Sequence, residues 1–150
     1  MDRRDHDFLR RLLSTFEAEA REHIRAISSG LIALEQTTAV NQQLDIIEAI
    51  FREAHSLKGA ARAVNLAEIE AICQALESVF AALKRQEIAL SPELFDALHQ
   101  AANNLNTLLA AVEGGPPAAE KSLISGLLQR LDDIPKGLGV RNQGSEFRDP

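Results

Sequence analysis

The stretch FREAHSLKGAARAVN, residues 51–65, places apolar side chains at helical spacing and polar ones opposite them. Ile47, Ile50, Ala54, Leu57, Ala61 and Val64 fall on one stripe of a helical wheel, and Glu48, Arg52, His55, Gly59 and Arg62 fall on the other side. The stripe must bury itself against other elements, so His55 is expected to face water. Side chains on a helix lean toward its N-terminus, and the residue one turn after His55 would normally lie partly over the imidazole. That residue is Gly59, which leaves the ring uncovered. Glycine inside a helix costs about 1 kcal/mol relative to alanine. The neighbours Ala60, Ala61 and Ala63 are good helix formers, so helix stability does not account for Gly59.

Working outward, the same period recurs on both sides. Phe8, Leu12, Phe16, Ala20, Ile24, Ile27, Leu31 and Leu34 predict a long first helix from Phe8, with a bend or loosening near Ser28, Ser29 and Gly30. Residues Gln36 to Asn41 read as a short loop, and the second helix runs from near Asn41 to about Val64. Asn65, followed three residues later by Glu68, predicts an N-cap for a third helix. That helix has Leu66, Ile69, Ile72, Cys73, Leu76, Val79, Phe80 and Leu83 as its stripe and ends around Gln86 to Ile88. Glu70, Gln74, Glu77 and Lys84 lie along one edge of this stripe, where they can look across a helix interface. Ser91-Pro92-Glu93 starts a fourth helix with a capping serine, a proline at the first position and a favourable acid. Its core face is Leu94, Phe95, Leu98, Ala101, Leu105, Leu108 and Val112, and Gly114-Gly115-Pro116-Pro117 stops it. A shorter fifth segment carries Leu123, Ile124, Leu127, Leu128, Leu131 and Ile134 before Pro135.

No period-two pattern competes, and the connections are short. The expected fold is therefore all-α, an up-and-down antiparallel four-helix bundle with a fifth C-terminal helix. Residues 1–135 form the bundle, and 136–150, with three glycines and no apolar period, read as a flexible linker or tail. A net charge of -6 with no basic run argues against nucleic acid as a partner. The one cysteine, Cys73, can form no internal disulfide, and it fits a reducing cytoplasm. No apolar run approaches a membrane span, and the opening MDRRDHDF is charged rather than signal-like. The chain is expected to be cytoplasmic, with no membrane partner, and monomeric as an isolated domain.

Four histidines are present, and exposure alone gives a helical histidine no role; His6, His23 and His99 are read as solvated. At His55, exposure coincides with Lys58 almost one turn on, the clearing Gly59 and a carboxylate available from the next helix. The run AHSLKGAARAVNL, followed by ALESVF, closely resembles the N-terminal histidine-phosphotransfer domain of chemotaxis-type histidine kinases, over roughly Phe8 to Ile134. The resemblance implies that His55 is the phosphoacceptor, that Glu77 hydrogen-bonds the other ring nitrogen, and that Lys58 is the motif lysine. Chemotaxis members of the family often have a second histidine one turn before that glutamate. Here the position is Gln74, which can hydrogen-bond but cannot titrate.

The chemistry asks for these residue types on its own terms. Phosphoryl transfer needs a nucleophile with a free lone pair, and neutral imidazole supplies one. A carboxylate accepting the proton of one ring nitrogen fixes the tautomer and turns the other lone pair outward. A cation offsets the phosphoryl charge, for which Lys58 and Arg62 are candidates, and Gly59 gives a partner's active site steric access. Nothing resembles a phosphate-binding loop or an ATP-binding domain. ATP would therefore be used by a partner kinase catalytic domain, and response-regulator receiver domains would take the phosphoryl group. The domain itself is expected to bind no cofactor and no metal. Two other readings exist: a helical docking module without chemistry, and a metal-dependent hydrolase, which lacks a further ligand near His55 and Glu77.

Overall fold

The computed structural model describes residues 2–114 and 121–136, which form five α-helices. These are α1 (Arg3–Glu35), α2 (Val40–Ala63), α3 (Ala67–Lys84), α4 (Pro92–Val112) and α5 (Lys121–Lys136). No strand occurs among the described residues. Helix α1 packs on α2 and α4, α3 packs on α2 and α4, and α5 lies against α3 and α4. The first four helices thus close into the expected bundle and the fifth docks on one side of it. The predicted linker at 136–150 falls, beyond Lys136, outside the described residues, as do Gly115, Pro116 and Pro117.

The predicted stripes meet in a single core. Ile24, Ile27, Leu31 and Leu34 of α1 join Ile47, Ile50, Ala54, Leu57 and Ala61 of α2. Opposite them are Ile69, Ile72, Leu76 and Phe80 of α3 and Leu98, Ala101 and Leu105 of α4, with Ile124, Leu127 and Leu131 arriving from α5. Each large side chain removed from water in this way contributes about 1.5–3 kcal/mol. Among the described residues, no helix is long and apolar enough to cross a membrane.

Local differences from expectation have identifiable causes. Helix α1 begins five residues before Phe8, because Asp2 caps it by accepting a hydrogen bond from the Asp5 amide at 3.0 Å. Its first turns hold Phe8, Leu9 and Leu12 out in solvent, with Phe8 59% exposed, so the apolar period of α1 begins before its burial does. Through Ser28–Gly30, where a bend or loosening is expected, the helix is continuous, and Gly30 sits where α1 comes close to α2. Asn65 does not cap α3. It adopts φ 60 and ends α2, with its amide bonded to Arg62 O at 3.1 Å and the Leu66 amide to Ala61 O at 2.9 Å. This is a Schellman closure, for which asparagine's tolerance of the left-handed region suits it better than a capping role. Gln86, also at positive φ, ends α3 in the same way, whereas Ser91 caps α4 as predicted, accepting from the Leu94 amide at 3.1 Å. Helix α5 continues through Pro135 to Lys136 instead of stopping before the proline.

Candidate functional site

Helices α2 and α3 form an antiparallel pair with one register along its length. Arg62 meets Glu70, Lys58 meets Gln74, His55 meets Glu77, and Glu48 meets Lys84. Each step back along α2 is matched by an equal step forward along α3, as in two straight helices lying side by side. The polar row on α3 that the sequence placed at the edge of the stripe therefore looks across the interface at every one of its four positions.

At the centre of this row, His55 projects from α2 with its side chain 66% exposed. Its Nδ1 lies 3.0 Å from Glu77 Oε2. A carboxylate can only accept, so Nδ1 carries the proton, and Nε2 is left with its lone pair directed to solvent. Glu77 is the one buried charged side chain among the described residues. A buried carboxylate requires partners, and Lys58 supplies the second: its Nζ is 3.0 Å from Oε2 and 3.1 Å from Oε1. Lys58 Nζ also donates to Gln74 Oε1 at 3.1 Å, and its side chain is only 16% exposed. The ammonium is thus held on the Nδ1 side of the imidazole, where it balances the Glu77 charge. Gln74 touches Lys58, not the ring. Arg62, two turns from His55, donates through Nε to Glu70 at 2.7 Å.

Gly59 lies on the open side: a Cβ built there would meet nothing within 4 Å. Packing inside the chain therefore gives no reason for the glycine, and the imidazole is approachable over that turn.

Two contributors were not singled out from the sequence. Phe51, one turn before His55, stacks under the imidazole, with centroids 6.5 Å apart and planes within 6°. The N-terminal lean of helical side chains, applied to the residue before His55 as well as the one after it, would have found this contact. Lys84 Nζ stands 4.9 Å from the centre of the Phe51 ring and 2.6 Å from Glu48 Oε1, so the aromatic floor is clasped from α3. The hydrogen bond from Lys84, aided by the charges of Lys84 and Arg52, holds the Glu48 carboxyl below its ordinary value. The second contributor is His23 of α1. It is not simply solvated, since its Nδ1 lies 2.7 Å from Glu53 Oε1 and it lines one groove together with His55, Ser56 and Gly59. His99 of α4 likewise meets Glu35 of α1, through Nε2 at 3.0 Å, and has no part in the α2–α3 row.

Near the site but facing the core, Cys73 is fully buried one turn before Glu77. Burial, with the Glu77 charge adding to it, pushes its thiol up to about 12. It is a neutral packing residue. Among the described residues, no group of three or more metal-ligating side chains is assembled.

The sequence profile described as the Hpt domain matches residues 11–115. Among characterised relatives, the chemotaxis protein CheA of Cereibacter sphaeroides is 31% identical over 106 residues, covering 71% of this chain and 16% of its own length. The chemotaxis protein CheA of Treponema pallidum is 28% identical over 120 residues, covering 80% of this chain and 14% of the relative. The gliding motility regulatory protein of Myxococcus xanthus is 31% identical over 113 residues, covering 73% and 14%. The chain thus spans less than a fifth of the length of each of these relatives.

Proposed function

The chain belongs to the Hpt domain family, and from that premise we infer that His55 is its phosphoacceptor, taking a phosphoryl group from an ATP-dependent kinase domain and yielding it to an aspartate of a receiver domain. The observation that carries this reading is the Nδ1 contact with buried Glu77 on a ring whose Nε2 has no hydrogen-bond partner among the described residues. The Nε2 lone pair attacks the γ-phosphorus as the bond to the departing ADP oxygen breaks, and positive charge develops on the ring. Glu77, through Nδ1–H, steadies that charge and keeps the ring in one orientation. Phe51 limits how far the ring can rotate. Lys58 balances Glu77, so that the site presents less negative charge to an incoming phosphate. Gln74 holds the Lys58 ammonium, and Arg62, exposed and paired with Glu70, lies where a docked partner would meet it. In the second step an aspartate oxygen attacks the same phosphorus and the N–P bond breaks.

Partner kinase and receiver domains, a cytoplasmic setting and a monomeric state complete the proposal. ATP belongs to the kinase domain, and the similarity to CheA proteins of chemotaxis supports that division of labour. The test is to incubate the chain with a chemotaxis-type kinase domain and labelled ATP. An acid-labile, base-stable phosphate should appear on the wild type, discharge on adding a receiver domain, and be absent from His55→Gln. Full labelling of His55→Gln, or none of the wild type, would rule the reading out.

A further inference from the structure

The cations expected near a phosphoryl group on His55 are engaged elsewhere. Lys58 is drawn to Glu77 and Gln74 on the Nδ1 side of the ring, and Arg62 is paired with Glu70. The open side of His55 faces the groove between α1 and α2, whose walls include Glu19, Glu22, His23, Ser56 and Gly59. Two of these residues are carboxylates that would repel a phosphoryl group. Among the described residues lining the groove besides His55, His23 is the one side chain able to carry positive charge.

His23 is also held in place. Its side chain is 26% exposed and its Nδ1 is 2.7 Å from Glu53 Oε1, two residues before His55 on α2. Since the carboxylate only accepts, Nδ1 carries a proton and Nε2 is the nitrogen left for another partner. In its imidazolium form Nε2 carries a proton as well and becomes a charge-assisted donor. The two histidines thus share one arrangement, Nδ1 on a carboxylate, with one difference: Glu77 is also bound by Lys58, whereas the salt bridge of Glu53 is to His23. From α1 itself Glu19 and Glu22 share the groove with His23. Helix α4, the other element packed on α1, meets it through Glu35–His99, and Glu113 just beyond the end of α4 pairs with Arg21.

We propose that His23 is a phosphoryl-contact residue of this domain, donating through Nε2 to an oxygen of the phosphoryl group on His55. The proposal rests on His55 being the acceptor. It assigns the cationic role to α1 and separates it from the tautomer-holding role on α3.

The test uses the whole chain, a chemotaxis-type kinase domain and a fixed ratio of ATP to ADP, with the phosphorylated fraction measured at equilibrium. His23→Leu should lower the equilibrium constant for phosphorylation about tenfold, the loss expected for one hydrogen bond to a charged group. The advantage of the wild type should be larger at lower pH, which favours the imidazolium form that donates through Nε2. His23→Gln, which keeps a donor but no charge, should recover part of the loss and show no such pH trend. In the wild type, the ¹⁵N resonance of His23 Nε2 should move on phosphorylation. An equilibrium and pH profile of His23→Leu equal to those of the wild type, or an unmoved Nε2 resonance, overturns the proposal while leaving His55 as the acceptor. Labelling of His55→Gln removes the acceptor reading and this proposal together.

Discussion

Gly30 and Gly59 occupy the interiors of two neighbouring helices, and their surroundings are opposite. A Cβ on Gly30 would stand 2.7 Å from Ile50 Cγ1 and 3.0 Å from its Cδ1, inside the core. A Cβ on Gly59 would meet nothing within 4 Å. Either glycine weakens its helix by about 1 kcal/mol relative to alanine. At Gly30 the close packing of α1 on α2 offsets that cost within the chain. At Gly59 no contact in the chain does so, and the empty space lies one turn from an exposed imidazole. A helix glycine therefore reads as packing or as access according to what its missing side chain would touch, a distinction that periodicity alone does not make.

Substitution at Gly30 should give the largest effect on the packed side. Gly30→Leu forces a side chain into the space of buried Ile50 and should lower the unfolding free energy by about 3 kcal/mol in urea denaturation, the upper end for overpacking. Wild-type stability would mean that α1 and α2 do not approach there as described. On the open side, Glu77→Ala should slow phosphorylation of His55 by tenfold or more, the order seen when a partner orienting a histidine is lost. Circular dichroism should show the helices intact, and an unchanged rate would remove Glu77 from the mechanism.

Cys73 and Glu77 repeat the contrast on α3, one buried position packed without polar partners' help and the next turn holding a carboxyl bonded to His55 and Lys58. The unfolded chain releases the thiol proton near its ordinary value of 9.0, and the folded chain only near about 12. Within that window the unfolded state binds fewer protons, so stability falls as pH rises, by up to about 1.4 kcal/mol per unit. Cys73→Ala should have a shallower slope of stability against pH there; equal slopes would show that the thiol is not responsible. The smallest expected change is at Gly59, where alanine should raise stability by about 1 kcal/mol, opposite in sign to the effect at Gly30. Gly59→Leu should slow phosphorylation by a kinase domain but not by a small phosphoramidate donor. Equal slowing with both donors would place the effect on the ring itself and not on partner access.

Much of the fold was legible because burial follows period. Five apolar stripes predicted five helices, and Ser91-Pro92 marked one start correctly. Asn65 misled, since asparagine serves both as an N-cap and as a left-handed residue, and only the path of the chain after Val64 chooses between them. Phe8 and Leu12 continue the pattern of α1, yet they lie in solvent, because a period reports the face of a helix and not whether a neighbour reaches it. In the site, His55, Lys58, Gln74 and Glu77 come together, and Arg62 sits at the end of the same row.

The sequence by itself determined which residues share a face, that His55 is exposed, and that nothing covers it one turn on. These are properties of a single helix, governed by its 3.6-residue period and by the absence of a side chain on glycine. Only the tertiary structure decided that Nδ1 is the nitrogen held, that the Lys58 ammonium lies on that same side of the ring, and that His23 shares the open groove. Those outcomes depend on the register and facing of α1, α2 and α3, which the packing of their buried stripes sets.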